Sequence, residues 1–111
     1  MTICTLLLIC LTGILPVNIT VYSPEPDEDH YVNNAVMTFF KGRYYCMWQS
    51  SERDEDSPDT HVCLSTSRNG IRWSRPRTIA HHTDSTFATP GGWIAHGDTL
   101  TAFINVFSDI K

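Results

Sequence analysis

The sequence predicts an all-β chain, and three observations lead to this prediction. From Val36 onward, short runs of β-branched and aromatic residues alternate with turn residues. Gly42 and Gly70 each stand between two such runs. Asn69 precedes Gly70, and an Asn-Gly pair readily adopts the positive φ angles that tight hairpin turns require.

The strands are expected to follow one another at short intervals. They are predicted over residues 36–40, 44–48, 61–65 and 71–79, with tight turns at 41–42 and 68–70 and a polar loop over 50–59. Pro76 lacks the N–H donor that a central strand needs, so the fourth strand is predicted to lie at the sheet edge. Four short antiparallel strands with the last at the edge describe one blade of a β-propeller.

The chain then repeats this pattern. Gly97 follows Gly42 by 55 residues, and each glycine is followed six residues later by an aromatic residue, Trp48 or Phe103. Propeller repeats run at about 40–50 residues plus their loops. We therefore expect about one and a half blades, with the first blade over 33–80 and the start of a second over 81–111.

The amino-terminal residues differ from the rest, because residues 1–20 carry no charged side chain and 3–15 are almost wholly apolar. A run of about 13 residues is shorter than the roughly 20 of a membrane span, and it fits the apolar part of a secretory signal. We predict a signal peptide or hydrophobic leader over 1–20 and a secreted protein. The alternative is a membrane anchor through residues 3–17.

Two further features bear on location and partners. Asn18 opens an Asn-Ile-Thr glycosylation sequon, and residues 21–32 form an acidic, proline-containing segment predicted to be a linker. The formal net charge of −4 argues against a nucleic-acid partner, whose phosphates require a surplus of lysine and arginine. The sequence calls for no cofactor and no metal ion.

Cys46 and Cys63 fall on the second and third predicted strands. If Ser50 pairs near Asp59, the two cysteines lie roughly opposite each other, and a secreted protein would allow a disulfide between them. Cross-strand geometry restricts such bridges. Two free cysteines packed in the core are therefore the equal alternative.

The eight residues that end at Trp73 resemble the turn motif of the sialidase superfamily, Ser-x-Asp-x-Gly-x-Thr-Trp, which marks its bacterial-neuraminidase repeats, or Asp boxes. Gly70 and Trp73 match the motif, while Thr66, Arg68 and Arg72 replace its Ser, Asp and Thr. The resemblance covers residues 33–107 and implies a six-bladed sialidase-like propeller in which this turn is structural.

Asn69 stands beside the position of the lost Asp. Its side chain can hydrogen-bond the turn backbone as an Asp would. We therefore expect the turn to be formed by Thr66, Asn69, Gly70 and Trp73.

The resemblance also implies a site. Sialidases hold the substrate carboxylate with three arginines and use a Tyr/Glu pair and an Asp acid/base. This chain has Asn33 and Asn34 where the first arginine belongs, and a bidentate guanidinium is hard to replace in that task.

The acid/base Asp of sialidases lies in the loop between the second and third strands, here residues 51–59. Asp56 is the candidate acid/base, with Asp54 as the alternative and Arg53 as a candidate substrate-binding residue. Crowded carboxylates raise one another's pKa, which suits a general acid. The alternative is that residues 51–59 form a solvated acidic loop with no catalytic role.

From this resemblance we expect the amino-terminal part of a secreted propeller that hydrolyses or binds glycans and is inactive as this fragment. The alternative is a non-catalytic propeller module that binds carbohydrate or protein. The expected partners are a glycan or glycoconjugate and the remaining propeller blades.

Overall fold

The computed structural model describes residues 18–108 and contains six strands in two antiparallel sheets. In chain order they are β1 (Tyr31–Phe40), β2 (Arg43–Ser51), β3 (His61–Ser67), β4 (Arg77–Ala80), β5 (Thr86–His96) and β6 (Thr99–Ser108). The first sheet has the strand order β1-β2-β3-β4, and β5 and β6 form a separate hairpin. This all-β arrangement of one blade and half of another confirms the predicted fold class.

The amino-terminal predictions fall mostly beyond this range. Nearly all of the predicted leader over 1–20, and the whole of the alternative anchor over 3–17, lie outside the described residues. Within 18–108 there is no helix with the length and apolar character needed to cross a membrane.

The first strand is longer than predicted. It begins at Tyr31, and its pairing with β2 shifts between Asn33 and Val36. Asn34 lies within this irregularity at a φ of 56°, a conformation that asparagine tolerates better than most residues. The shift is a β-bulge, which explains why the polar Asn33-Asn34 pair does not end the strand.

The pairing of β2 with β3 differs from the predicted register by two residues. Ser50 pairs with His61, so Cys46 lies opposite Ser65 and Cys63 lies opposite Trp48. Diagonal neighbours in an antiparallel pair are about 7–8 Å apart, beyond the usual reach of a disulfide. Both cysteines are buried free thiols, so of the two alternatives the structure has core packing and not the bridge.

The edge strand starts later than predicted. β4 begins at Arg77, directly after Pro76, and pairs with β3 alone. The predicted strand over 71–79 is therefore too long. Its first part belongs to a compact loop that closes where the Ser74 N–H donates to the Thr66 carbonyl at 2.8 Å.

The two central strands bury side chains on both faces, since neighbouring side chains along a strand point to opposite sides. On one face, Cys46, Trp48 and Cys63 pack under the amino-terminal segment and Trp73. On the other, Met47 and Val62 pack against the second hairpin. The core is thus two layers that share β2 and β3.

Two hydrogen bonds to backbone carbonyls fix the second hairpin against the first blade. The Trp93 indole N–H donates to the Val36 carbonyl at 3.0 Å, and the Ala88 N–H donates to the Thr60 carbonyl at 3.1 Å. The Trp93 ring also packs against Tyr45, with 5.9 Å between ring centroids. The hairpin therefore lies on the face of the first blade in a defined position.

Replacing Met47 by Ala tests this shared core. Met47 is fully buried, and removal of a buried Met side chain lowers the free energy of unfolding by about 2–5 kcal/mol. The measurement is urea denaturation followed by tryptophan fluorescence. Met37→Ala is the matched control, because Met37 is 51% exposed and its loss is expected to cost less than about 0.5 kcal/mol. Equal losses in the two variants would contradict the assignment of Met47 to the core.

Candidate functional site

Successive connections between antiparallel strands alternate between the two ends of the blade. At one end, called here the turn end, lie the β1–β2 turn, the loop over 68–76 and the β5–β6 turn. At the other, called the loop end, lie the acidic loop over 52–60 and the connection over 81–85. The segment over 21–30, called the arm, leads into β1 at the loop end.

The Asn69-Gly70 turn has the hydrogen bonds that the sequence predicts. The Asn69 amide oxygen accepts from the N–H groups of Ile71 and Arg72, both at 2.9 Å. Gly70 has a φ of 74°, and a Cβ there would lie 3.4 Å from the Tyr44 ring. The Asn69 side chain therefore holds the turn backbone, and the φ of Gly70 is one that favours glycine.

Trp73 closes the turn from outside the strands. Its indole N–H donates to the Gly70 carbonyl at 3.1 Å, and its ring lies 6.4 Å from that of Tyr44. Trp73 also packs on the Cys46–Trp48–Cys63 cluster. It therefore links the turn to the core.

The hydroxyl at this turn comes from Ser67 and not from Thr66. The Gly70 N–H donates to the Ser67 oxygen at 2.8 Å, whereas Thr66 uses its backbone N–H to donate to the Ser74 hydroxyl at 2.9 Å. An alignment counted back from Trp73 places the motif serine on Thr66. Counting from Asn69 places it on Ser67, because Ser67-x-Asn69 has the spacing of Ser-x-Asp.

The candidate acid residues lie in a loop that bonds to itself. The Asp54 carboxylate accepts from the Asp56 N–H at 3.0 Å, and the Asp54 carbonyl accepts from the Ser51 hydroxyl at 2.5 Å. Asp54, Asp56 and Arg53 are all exposed. Asp54 therefore holds the turn as an Asx residue does, while the carboxylate of Asp56 faces solvent.

Asp59 holds the other side of this loop. Its carboxylate accepts from the Glu52 N–H at 2.8 Å and from the Ser57 hydroxyl. Burial raises the pKa of Asp59, but these hydrogen bonds outweigh burial and keep the pKa below its usual value. Asp59 is therefore a carboxylate that shapes the loop.

The arm lies against the blade and is not a detached linker. The Tyr22 ring stacks on Trp48 with 5.3 Å between centroids, and the Tyr22 hydroxyl donates to Glu28 at 2.8 Å. The same Glu28 oxygen accepts from the Glu25 N–H at 2.9 Å. Hydrogen bonds from Glu25 and Tyr22 lower the pKa of Glu28, so this carboxylate is ionised at neutral pH.

His61 connects the arm, the acidic loop and the sheet. Its Nε2 lies 3.1 Å from the Asp29 carboxylate and its Nδ1 lies 2.8 Å from the Asp59 carbonyl. Both partners accept hydrogen bonds, so the arrangement favours a ring that carries a proton on each nitrogen. A hydrogen bond with Cys63 and these two contacts raise the pKa of His61 to about 9, although burial opposes the charge. The Ser50 hydroxyl completes the group by donating to Asp29 at 2.7 Å.

A cleft of about 260 Å³ opens between the arm and the sheet beside this group. Its walls include Tyr22, Glu28, Asp29, Ser50 and Arg75. This loop-end cleft joins residues far apart in the sequence, which is why motif reading missed it. Carboxylates, a hydroxyl, a guanidinium and an aromatic ring together suit a polar ligand that carries hydroxyl groups.

The other residues considered as ligand contacts do not form a site within the described residues. Trp48 and Trp93, which have the rings to stack on a ligand, are instead packed in the core and against the first blade. Among residues 18–108, no three His, Cys, Asp or Glu side chains are arranged to hold a metal ion. Asn18 is exposed, and its glycosylation stays a prediction.

Comparison with known families gives one match. Residues 21–101 match a family described as "BT_1020-like, N-terminal beta propeller". The match runs from the arm through the first blade and into β6, and it covers well over half of the chain. Neither the curated proteins nor the solved structures gave a match.

Asn69→Ala tests the turn. It removes the acceptor of two backbone N–H groups, and we expect a loss of about 1 kcal/mol in the free energy of unfolding. Asn69→Asp is the control, because it keeps an oxygen in the same place, and its loss is expected to stay below about 0.5 kcal/mol. Urea denaturation measures both. A larger loss for Asp than for Ala would show that the amide oxygen does not hold the turn.

His61 predicts a pH dependence of stability. Its folded pKa of about 9 lies above the unfolded value of 6.5. The stabilisation is therefore fully present below pH 6.5 and is lost as the pH rises through about 9. The free energy of unfolding of the unaltered chain should fall over this range relative to that of His61→Gln, which has no titrating ring. Parallel pH curves for the two proteins would contradict the prediction.

Proposed function

Because the chain belongs to the BT_1020-like N-terminal beta-propeller family, we propose that it is a sialidase-like part of a secreted propeller that binds glycans at its loop end. The loop-end cleft is the observation that carries the binding proposal. The proposed secretion rests on the apolar, uncharged residues at the start of the sequence and on the Asn18 sequon.

The turn over 67–73 supports the sialidase-like assignment. An Asx residue that bonds two following N–H groups, a glycine at positive φ and a tryptophan that covers them perform the structural tasks of the Asp box. The motif is one residue shorter between its serine and its tryptophan than the superfamily pattern. The support therefore concerns the architecture of the repeat and not catalysis.

The cleft supports ligand binding because its polar groups keep bonding capacity. Each carboxylate has about four lone-pair positions, and the Glu28 and Asp29 oxygens use only some of them within the described residues. The Arg75 side chain is 93% exposed, with Glu28 3.9 Å away. Sugar hydroxyls both donate and accept, so acceptors and a donor beside the Tyr22 ring form a suitable site.

Binding is favoured over hydrolysis by the same geometry. β1 carries Asn33 and Asn34 where a sialidase places an arginine. The Asp54 carboxylate is engaged in its own turn, and Arg53 is exposed on the acidic loop. Of the two candidate acid residues, Asp56 is the one whose exposed carboxylate takes no part in the hydrogen bonds of the loop.

The proposal is tested by glycan-array binding and a fluorogenic sialoside assay with the whole chain. We expect binding without turnover. Glu28→Gln keeps an oxygen for Tyr22 and Glu25 but removes the charge, and it should weaken glycan binding by about tenfold. Asp27→Asn is the control, because Asp27 lies on the arm outside the cleft.

Two results would oppose this function. Sialoside turnover that disappears in Asp56→Asn would show an enzyme, and the acidic loop would then be its site. Glycan binding that is unchanged in Glu28→Gln, or equally reduced in Asp27→Asn, would remove the loop-end cleft from the binding surface.

A further inference from the structure

The turn end of the blade carries a second cleft, of about 320 Å³, that is lined by three arginines. They are Arg43, Arg68 and Arg72, and the other lining residues are Thr66, Ser67, Asn69 and Ser74. Every lining residue is polar and none is acidic. Three positive charges thus share one opening in a chain whose formal net charge is −4.

These arginines are uncompensated within the described part of the chain. The ion pairs over residues 18–108 involve Lys41, His61 and Arg75, and none involves an arginine of this cleft. Like charges held close together repel each other. The arrangement is therefore most favourable when an anion occupies the cleft.

Local structure holds the arginine backbones in place. Arg43 is the first residue of β2, directly after the tight β1–β2 turn. Arg68 and Arg72 flank the Asn69-Gly70 turn, and the Arg72 N–H is bonded to the Asn69 side chain. Since the sheet fixes one wall and the turn fixes the other, the backbone that carries the three arginines needs no ordering on binding.

The neighbouring polar groups also suit an anion. Asn69 uses its amide oxygen in the turn, which leaves the two N–H bonds of its amide nitrogen as donors. The Ser74 hydroxyl accepts from the Thr66 N–H at 2.9 Å and lies 3.2 Å from the Ser65 hydroxyl, so it is held at the edge of the cleft. The cleft is therefore lined by donors of both charged and neutral kinds.

We propose that this turn-end cleft binds a tetrahedral oxyanion in the form of a sulfate or phosphate ester. Such an ester has three terminal oxygens that point in different directions, and three guanidinium groups from two walls can each meet one of them. A carboxylate has only two oxygens in one plane. The cleft shares no lining residue with the loop-end cleft, so this site does not depend on the proposed glycan binding.

Isothermal titration of the whole chain with matched monosaccharides tests the proposal. The probes are a 6-sulfate, a 6-phosphate, a uronic acid and the neutral parent sugar, with inorganic sulfate as an ion without sugar. We expect the two esters to bind, inorganic sulfate to bind more weakly, and the uronic acid and neutral sugar to bind at least about tenfold more weakly than the better ester. The tighter of the two esters identifies the source of the oxyanion.

Single substitutions locate the site. Arg68→Gln and Arg72→Gln should each weaken ester binding by about tenfold, the loss expected for one charge-assisted contact. Arg77→Gln is the matched control, because Arg77 is exposed and lies on β4 outside the cleft, and it should change binding by less than about twofold. Near-ultraviolet circular dichroism, to which Trp73 contributes, shows whether the turn is intact in each variant.

Three outcomes would overturn the proposal. A uronic acid that binds as well as the esters would remove the preference for a tetrahedral group. An equal loss in Arg77→Gln would reduce the effect to net charge, and ester binding that survives Arg72→Gln with an intact turn would place the anion elsewhere. Loss of glycan binding in Glu28→Gln with ester binding retained would separate this site from the loop-end cleft.

Discussion

The structure depends on the burial of both faces of β2 and β3. Met47 and Val62 on one face, and Cys46 and Trp48 on the other, have almost no contact with solvent. A strand pair of this kind must be covered on both sides, which one four-stranded sheet cannot do alone. The arm and Trp73 cover one face, and the β5–β6 hairpin covers the other. The outer face of that hairpin has large exposed apolar side chains such as Ile94 and Phe103, as expected where one blade of a propeller packs on the next.

The two ends of the blade differ in charge because of the connections that they carry. The loop end has the acidic loop and the carboxylates of the arm, and the turn end has Arg43, Arg68 and Arg72. At the loop end, several carboxylates have partners that shape the local structure, such as Asp54, Asp59 and Asp29. At the turn end the arginines have no such partners within residues 18–108. The paired carboxylates of the loop end therefore stabilise the fold, whereas the unpaired arginines of the turn end can contact a charged ligand.

The sequence predicted the strands where local signals were strong. The turn glycines, the Asn69-Gly70 pair and the edge position of β4 after Pro76 follow from backbone preferences that a single residue expresses. The predicted register of β2 and β3 was wrong by two residues. Hydrogen bonds within the acidic loop, such as those to Asp54 and Asp59, set where β3 begins, and the spacing of residues in the sequence does not show them. The two clefts and the role of His61 were missed for a related reason. Asp29, Ser50 and His61 come from three separate segments, and only the folded sheet brings them together.

The contact between the two sheets has a consequence for how the sequence can vary. Trp93 and Ala88 donate to the backbone carbonyls of Val36 and Thr60, and every amino acid supplies such a carbonyl. The acceptor half of this joint therefore survives substitution at positions 36 and 60, whereas the indole donor does not survive the loss of Trp93. Positions 36 and 60 of the first blade can therefore change in sequence without loss of these bonds, provided that Trp93 in the second hairpin is kept. Hydrogen bonds to backbone carbonyls thus allow neighbouring repeats to differ in sequence while they keep the same packing geometry.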